Sequence, residues 1–331
     1  MVSSPTPSLD YSSLDEPLVS VITPTYNRPE YLQEAIASAL AQTYRNLEII
    51  VSDNGSPVNP QELIESFDDG RIRFFRHEKN LGMIANTLYA FQQARGKYVA
   101  CLLDDDLWEP DFLAKLVPPL EAHPDLTLSF CDHSVIDATG KLDDDATEQC
   151  SQQYGRAHLA EGIHQPFYRL ALVDAAVPTA TSAVMRRDWV DWSQIPPQIG
   201  GTWDSYLRYL YCREGRGAYY IPERLTRYRA HDQTDTMQNG RRSVQGKIGK
   251  AQAEIFCYQQ FLQDDRLQDL HPFFQAKLAH WMTTLGIGLM RDQKLPDARQ
   301  WIWRSLTQRF SPRAIAALCV SFAPGVIACR F

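Results

Sequence analysis

The sequence predicts an α/β fold, a mainly parallel sheet flanked by helices, followed by an all-helical C-terminal extension. Three observations carry this. Short apolar runs alternate with amphipathic segments through the first 125 residues, the pattern of strands joined by crossover helices. Three of those runs end in polar clusters: Thr23-Pro24-Thr25-Tyr26-Asn27, Asp53-Asn54-Gly55-Ser56 and Asp104-Asp105-Asp106. In parallel sheets ligands bind beyond the carboxyl ends of the strands. After about residue 240 the strand pattern stops, and long helical stretches follow with turn signals at Pro272, Pro296 and Pro312.

Each element has a local reason. Residues 18–23 form an apolar run closed by Pro24, a buried strand. Pro29 suits the first turn of a helix, where its missing N–H has no partner to lose, and Leu32, Ile36 and Leu40 give that helix a core-facing stripe. A second strand over 47–53, a short helix over 60–67 and a third strand over 71–76 follow. The next helix, 82–94, should turn Ile84, Leu88 and Phe91 inward. Residues 98–103 read as a fourth strand, and Pro110-Asp111 opens another helix. The pattern then loosens, with strands expected over 126–135, 177–185 and 219–228 and a helix over 204–211. Beyond 240, helices are expected over 247–263, 272–290, 296–309 and 311–322.

Composition bounds the function. The chain has 331 residues, 44% of them hydrophobic and 22% charged, as in a soluble globular protein. Its 33 basic and 40 acidic residues leave a formal charge of −7, which supplies no basic field for nucleic acid. The seven cysteines are scattered and never spaced C-x-x-C, which argues for a reducing compartment and against a zinc cage. Residues 1–16 read as a disordered lead-in without a secretory signal. The uncharged stretch 314–329 is broken by Pro324-Gly325 and falls short of the ~20 residues a membrane span needs. A cytoplasmic protein is expected. Fingerprints of Rossmann dinucleotide binding, zinc proteases, serine hydrolases and P-loop ATPases are absent.

Several residues stand out for their chemistry. Three adjacent carboxylates at 104–106 repel one another unless a cation or hydrogen bonds compensate, and a hard divalent ion such as Mg²⁺ or Mn²⁺ takes oxygen ligands. A solvated acidic turn is the plain alternative, and Asp143-Asp144-Asp145, with no strand before it, suits that alternative better. Asp53, beside Gly55, is placed either to accept a base ring N–H or to form an Asx-turn. Asn80, Gly82 and Asn86 bracket a helix start, where free N–H groups attract anions or are simply capped. Asp204 opens a helix after Gly200-Gly201, so it is either a general base near a glycine hinge or an acid favoured by the helix dipole. His231 is a lone histidine, a class more often ordinary than ligating.

Residues 18–231 taken together resemble family 2 of the glycosyltransferases, inverting enzymes of the GT-A fold. The carriers are residues 21–28, Val-Ile-Thr-Pro-Thr-Tyr-Asn-Arg, then 48–56, Glu-Ile-Ile-Val-Ser-Asp-Asn-Gly-Ser. Asn80-Leu81-Gly82, Ala85-Asn86, Ala94-Arg95-Gly96-Lys97-Tyr98-Val99, Leu102 to Asp106, Trp108 and Pro110-Asp111 follow in order, and Trp203-Asp204 and Tyr228-Arg229-Ala230-His231 close the series. The resemblance implies a GT-A domain over 17–240, with a nucleotide-sugar half over 17–125 and an acceptor half over 126–240, and a helical extension over 241–331. It implies a nucleotide-diphosphate sugar donor, a sugar or lipid-linked acceptor, and Mn²⁺ or Mg²⁺. Pro24, Thr25, Tyr26 and Arg28 would line the donor pocket, with Tyr26 near the base. Asp53 would bind the base, Asn54 standing where an acid is often seen. Asn80 and Asn86 would contact base or diphosphate, and Asp104 would reach the ribose or support the metal. Asp105, Asp106 and His231 would hold the ion, and Asp204 would be the catalytic base. Leu103 stands where the commonest Asp-x-Asp-Asp pattern begins, so the assignment among the three acids stays open.

Two other functions are weighed. A nucleotidyltransferase shares a similar sheet and metal, but usually has a Gly-rich, Arg-containing loop after the first strand, where this chain has Pro24 to Arg28. A non-catalytic scaffold is the other. In the tail, residues 291–313 carry six basic and two acidic residues with Trp301, Trp303 and Phe310 interleaved. That composition suits peripheral contact with an anionic membrane at the inner face of the plasma membrane. A packed helical hairpin, with Ala298, Ile302 and Leu306 at spacing four, is the favoured alternative.

Overall fold

A computed structural model describes residues 16–231 and 243–322. The lead-in over 1–15, the boundary near Gly240 and the apolar residues after Phe322 lie outside them. The first half alternates β1 (Val19–Thr25), α1 (Pro29–Leu40), β2 (Leu47–Asp53), α2 (Gln61–Glu65), β3 (Ile72–Arg76), α3 (Met83–Gln92), β4 (Tyr98–Cys101), β5 (Leu107–Trp108) and α4 (Phe112–Ala122). Every residue of β1, β2 and β4 is buried, as in a strand covered on both faces. The second half contributes β6 (Leu126–Ile136), α5 (Asp144–Gln153), β7 (Gly162–His164), α6 (Tyr168–Leu172), β8 (Ala183–Arg186), α7 (Trp203–Cys212) and β9 (Gly217–Arg229).

All nine strands join one sheet in the order β3-β2-β1-β4-β8-β6-β9-β5, with β7 added on β9. β3, β2, β1 and β4 are parallel. β8 is antiparallel to both its neighbours, so β6 and β9 again run with β1. β5 and β7 pair antiparallel to β9. The sheet is therefore parallel in its first half and mixed in its second.

Two expectations need correction. The strand expected over 177–185 is confined to Ala183–Arg186, because the N–H groups of Thr181 and Ser182 both turn back to the carbonyl of Pro178. Helix α3 turns Ile84, Leu88 and Phe91 onto the apolar core as expected, Phe91 fully buried and the other two half-buried, and it also buries Asn86, Thr87 and Ala90. Burial of a polar residue is sustained by Ser52: Asn86 accepts from its hydroxyl at 2.7 Å and donates to its carbonyl at 2.9 Å. Gly200 is not a free hinge, since it packs against Ala253 of the C-terminal extension, whereas Gly201 is exposed with open space around it. The acidic run 143–145 is solvent-exposed, as its sequence context suggests, but as a helix start and not a turn: Asp143 caps α5 by accepting from the Ala146 N–H, and Asp144 and Asp145 lie in its first turn.

The extension comprises α8 (Val244–Leu262), α9 (His271–Arg291), α10 (Leu295–Gln308) and α11 (Pro312–Val320). Its first helix is not set apart from the α/β half. Cys257 and Phe261 share one apolar cluster with Phe91, Trp203, Tyr206 and Tyr209. A Cβ on Gly200 would already touch Ala253 at 3.3 Å, and Thr202 Oγ1 lies 3.2 Å from Cys257 Sγ. The later helices form the packed hairpin: Ala298, Ile302 and Ser305 are buried, and Gly286 admits Ile302, whose Cγ1 lies 2.4 Å from where a Cβ would stand.

Candidate active site

The chain builds β2 and β3 on one side of β1, then returns to place β4 on the other. That reversal makes the carboxyl ends of β1 and β4 a topological switch point, where a crevice opens. Thr25 and Tyr26 end β1, and Asp104-Asp105-Asp106 follow β4. Thr25 Oγ1 donates to Asp104 Oδ2 at 2.8 Å, and the Tyr26 N–H donates to the same oxygen at 3.4 Å. Arg28 Nη1 bridges Asp104 Oδ1 at 3.1 Å and Asp105 Oδ2 at 2.9 Å. His231 Nε2 lies 3.0 Å from Asp105 Oδ2. The Arg229 N–H donates to Asp106 Oδ1 at 2.9 Å, and its Nε to the Asp105 carbonyl at 2.8 Å. Residues more than a hundred positions apart thus converge on one acidic cluster.

The three acids are 5%, 7% and 1% exposed in chain order. Burial, reinforced by Asp105, pushes the Asp104 carboxyl up to about 6, against the opposing pull of Arg28, Thr25 and the Tyr26 N–H. Burial and then Asp105 raise Asp106 well above the carboxylate range, with the Arg229 N–H opposing. Asp106 Oδ2 is buried with no partner. Carboxylate oxygens plus one imidazole fit a hard divalent cation in kind, and an orphaned buried oxygen is what such an ion satisfies. Among the described residues, no three His, Cys, Asp or Glu side chains are grouped to hold an ion. Arg28 already offsets the charge of Asp104 and Asp105, and the Arg229 backbone takes one oxygen of Asp106.

Tyr26 is 43% exposed, an aromatic face at the mouth of this crevice, and Pro24 is buried in β1. Asp53 pairs with Thr25 across the sheet but is fully buried. It accepts from the Ser56 N–H at 3.2 Å and from the Ser56 hydroxyl, and Arg76 Nε stands 3.5 Å away. Asp53 thus bonds the N–H three residues on, where an Asx-turn would bond the one two residues on. Asn54 donates to Asn80 at 3.2 Å and accepts from the Leu81 N–H, shaping the loop before α3. Asn86 is bonded to Ser52, the residue before Asp53.

Asp204 opens α7, its side chain about one-third exposed and 3.5 Å from Arg208 Nη2. Its carbonyl accepts from Thr179 Oγ1 at 3.1 Å, tying it to the segment that enters β8, the neighbour of β4. Among the described residues, no hydrogen bond or ion pair joins it directly to residues 104–106. Behind it lies Glu254 of α8: burial raises its carboxyl to about 7, and Asp204 adds to the rise against Lys250, Arg208 and Lys277. A raised folded-state value means stability that is present in acid and lost as pH climbs through about 7. Glu254→Gln should therefore match the parent near pH 5 and exceed it by about 1–3 kcal/mol near pH 8.5. Denaturant midpoints at the two pH values check this, and a pH-independent difference would refute it.

Two members of the site carried no assignment in the sequence. Arg229 is 1% exposed, lies over the Tyr31 ring at 4.7 Å and pairs with Glu34, so it locks β9 and α1 around the acids. Its signal was adjacency to His231 in the Tyr228-Arg229-Ala230-His231 run. Glu254 had none, since nothing local marks one helical glutamate among others.

Fold and site together define an α/β protein of the GT-A type, with an acidic cluster at the switch point of its sheet. The model of the family described as Glycosyl transferase family 2 matches residues 20–192. That is over half of the chain, and the chain belongs to this family. An uncharacterized glycosyltransferase of Methanocaldococcus jannaschii is 41% identical over 133 residues, 39% of this chain and 46% of that one. A Bacillus subtilis protein, TuaG, named as a candidate glycosyltransferase of teichuronic acid biosynthesis, is 36% identical over 102 residues, 30% of this chain and 40% of its own. The matches thus span less than half the length of these relatives. Among solved structures, Staphylococcus aureus TarS 1–349 in complex with UDP-GlcNAc aligns at a TM-score of 0.63 and 15% identity, over 94% of this chain and 89% of that one. The mannosyltransferase PcManGT of Pyrobaculum calidifontis, in complex with GDP-Man and Mn²⁺, aligns at 0.54 and 18% identity, over 96% and 84%. At these identities the likeness is one of fold.

Proposed function

We propose that this protein transfers a sugar from a nucleotide-diphosphate sugar to a hydroxyl group of a sugar or lipid-linked acceptor, inverting the anomeric centre, in the synthesis of a cell-surface polysaccharide or glycoconjugate. The observation that carries the reading is the buried acidic cluster at the switch point, with Asp106 Oδ2 unsatisfied and the open ring of Tyr26 on the same strand end as the Thr25 donor. Tyr26 stacks on the base, and the loop shaped by Asp53, Asn54 and Asn80 borders it. Asp104, held by Thr25 and Arg28, faces the ribose. Asp105, Asp106 and His231 would hold Mn²⁺ or Mg²⁺, which when bound offsets the charge on the departing diphosphate. Asp204 accepts the proton that the acceptor hydroxyl loses. Displacement by a hydroxyl activated opposite the leaving group inverts the centre. Support comes from the nucleotide sugars bound in the two structural neighbours and from the biosynthetic name of TuaG. A reducing, cytoplasmic setting at the inner face of the plasma membrane agrees with the free cysteines, and no described helix is long and apolar enough to cross a membrane.

A donor screen tests the reading, with Mn²⁺ present or absent and nucleoside diphosphate release as the signal. Release that depends on donor and acceptor is expected. Pyrophosphate release from a sugar phosphate and a nucleoside triphosphate would point instead to nucleotidyl transfer. No calorimetric binding of any nucleoside diphosphate with Mn²⁺ would leave only a scaffold.

A further inference from the structure

The end of the chain differs in charge from everything before it. After Asp297 no acidic residue occurs, while Arg299, Arg304, Arg309, Arg313 and Arg330 do, in a chain whose formal charge is −7. Elsewhere arginines are commonly matched to carboxylates, as Arg28, Arg73, Arg156 and Arg229 are. Among the described residues, Arg299, Arg304, Arg309 and Arg313 have no carboxylate partner. Arg313 donates instead to two neutral acceptors, His280 Nδ1 at 3.3 Å and Thr284 Oγ1 at 3.2 Å, so its charge stays uncompensated. Burial lowers its pKa from the ordinary guanidinium value, and burial and then Arg313 hold His280 below its own, in the neutral form.

The same stretch is also where aromatic surface is left open. Only four described aromatic side chains are exposed: Tyr26 at the candidate site, then Trp303 at 61%, Phe310 at 73% and Phe322 at 67%. Packing of the hairpin does not consume them, since it uses Ala298, Ile302 and Ser305 of α10. Beside Phe310, a cleft of about 240 Å³ opens between α9 and the turn into α11, lined by His280, Thr283, Arg309, Ser311 and Arg313. Two cations and the Ser311 hydroxyl around an open cleft match the charge and hydrogen-bonding of a phosphate group, the Thr283 hydroxyl being committed to the Ala279 carbonyl. Exposed aromatic rings beside arginines without a carboxylate partner match the boundary between headgroups and acyl chains.

We infer that this face docks on an anionic phospholipid surface, the cleft receiving a headgroup phosphate between Arg309 and Arg313 while Trp303, Phe310 and Phe322 enter the interfacial layer. Nucleic acid fits less well, because the rest of the chain carries an excess of acids that would repel it. A lipid surface meets only the basic face. The inference does not depend on the transfer reading, since binding to lipid is measured without turnover.

Flotation of the full chain with phosphatidylcholine vesicles, and with mixed phosphatidylcholine–phosphatidylglycerol vesicles, tests it. Binding to the mixed vesicles alone is expected, weakening as salt rises. Two surface cations near an anionic membrane contribute about 1 kcal/mol each, so R309Q/R313Q should lose roughly tenfold or more in partitioning. Trp303→Ser, at an exposed position, should weaken binding while leaving the thermal melt of the parent unchanged, which guards against a misfolded double variant. No binding to mixed vesicles, equal binding to neutral ones, or undiminished binding by both variants would overturn the inference. Calorimetric binding of inorganic phosphate without vesicle binding would assign the cleft to the free ion and overturn it equally.

Discussion

Asp204→Asn should lower turnover by about 10²–10⁴-fold, the range a positioned general base contributes, while donor affinity stays within a few-fold of the parent. The substitution keeps the shape of the side chain and removes its charge, and with it the ability to accept a proton. Thr179 bonds the carbonyl of residue 204 and not its side chain, so the start of α7 should hold its place. The local cost is the loss of one partly exposed ion pair with Arg208 and of a favourable charge at a helix N-terminus, each about 1 kcal/mol or less. Steady-state kinetics and donor titration by calorimetry separate the two quantities. If affinity fell in step with turnover, Asp204 would be a binding residue or a structural one, and the proposed base would have to be sought elsewhere.

Asp106→Asn should act in opposite directions on stability and on function. The parent carboxyl is buried, raised well above its usual range and unsatisfied at Oδ2, so at neutral pH its ionisation works against the folded chain. An amide keeps the Oδ1 acceptor for the Arg229 N–H and has no charge to bury. In the absence of divalent ions the variant should be more stable than the parent by about 1–3 kcal/mol. It should also lose sugar transfer and most of the thermal stabilisation that Mn²⁺ confers on the parent. Melting curves with and without Mn²⁺, read beside transfer assays, check both halves. A variant stabilised by Mn²⁺ as strongly as the parent would remove Asp106 from the ion site.

Much of the fold was legible because the signals that define it are local. β1, β2 and β4 are buried on both faces and so read as unbroken apolar runs. The four helices of the extension follow from spacing and proline, and each begins within a few residues of its expected start. Expectation failed where a distant partner overruled the local pattern. Apolar periodicity placed Ile84, Leu88 and Phe91 on the core side of α3, where they pack, but left Asn86 unmarked, and Ser52 on β2 drew it inward. Hydropathy carried a strand through 177–182, whereas a backbone turn on Pro178 ended it.

The candidate site divides in the same way. That carboxylates would end a strand, that an aromatic would end its neighbour and that an acid would open α7 are properties of short segments, readable from order and composition. What those groups do to one another belongs to the tertiary structure. Arg28 reaches across 76 and 77 positions to two of the acids, and Arg229 across 123 to the third. Which oxygen is left bare at Asp106, and which described arginines of the tail lack a carboxylate partner, are likewise settled by packing. Coulomb attraction and desolvation depend on distance in space and on exclusion of water, and a linear chain records neither until packing is complete.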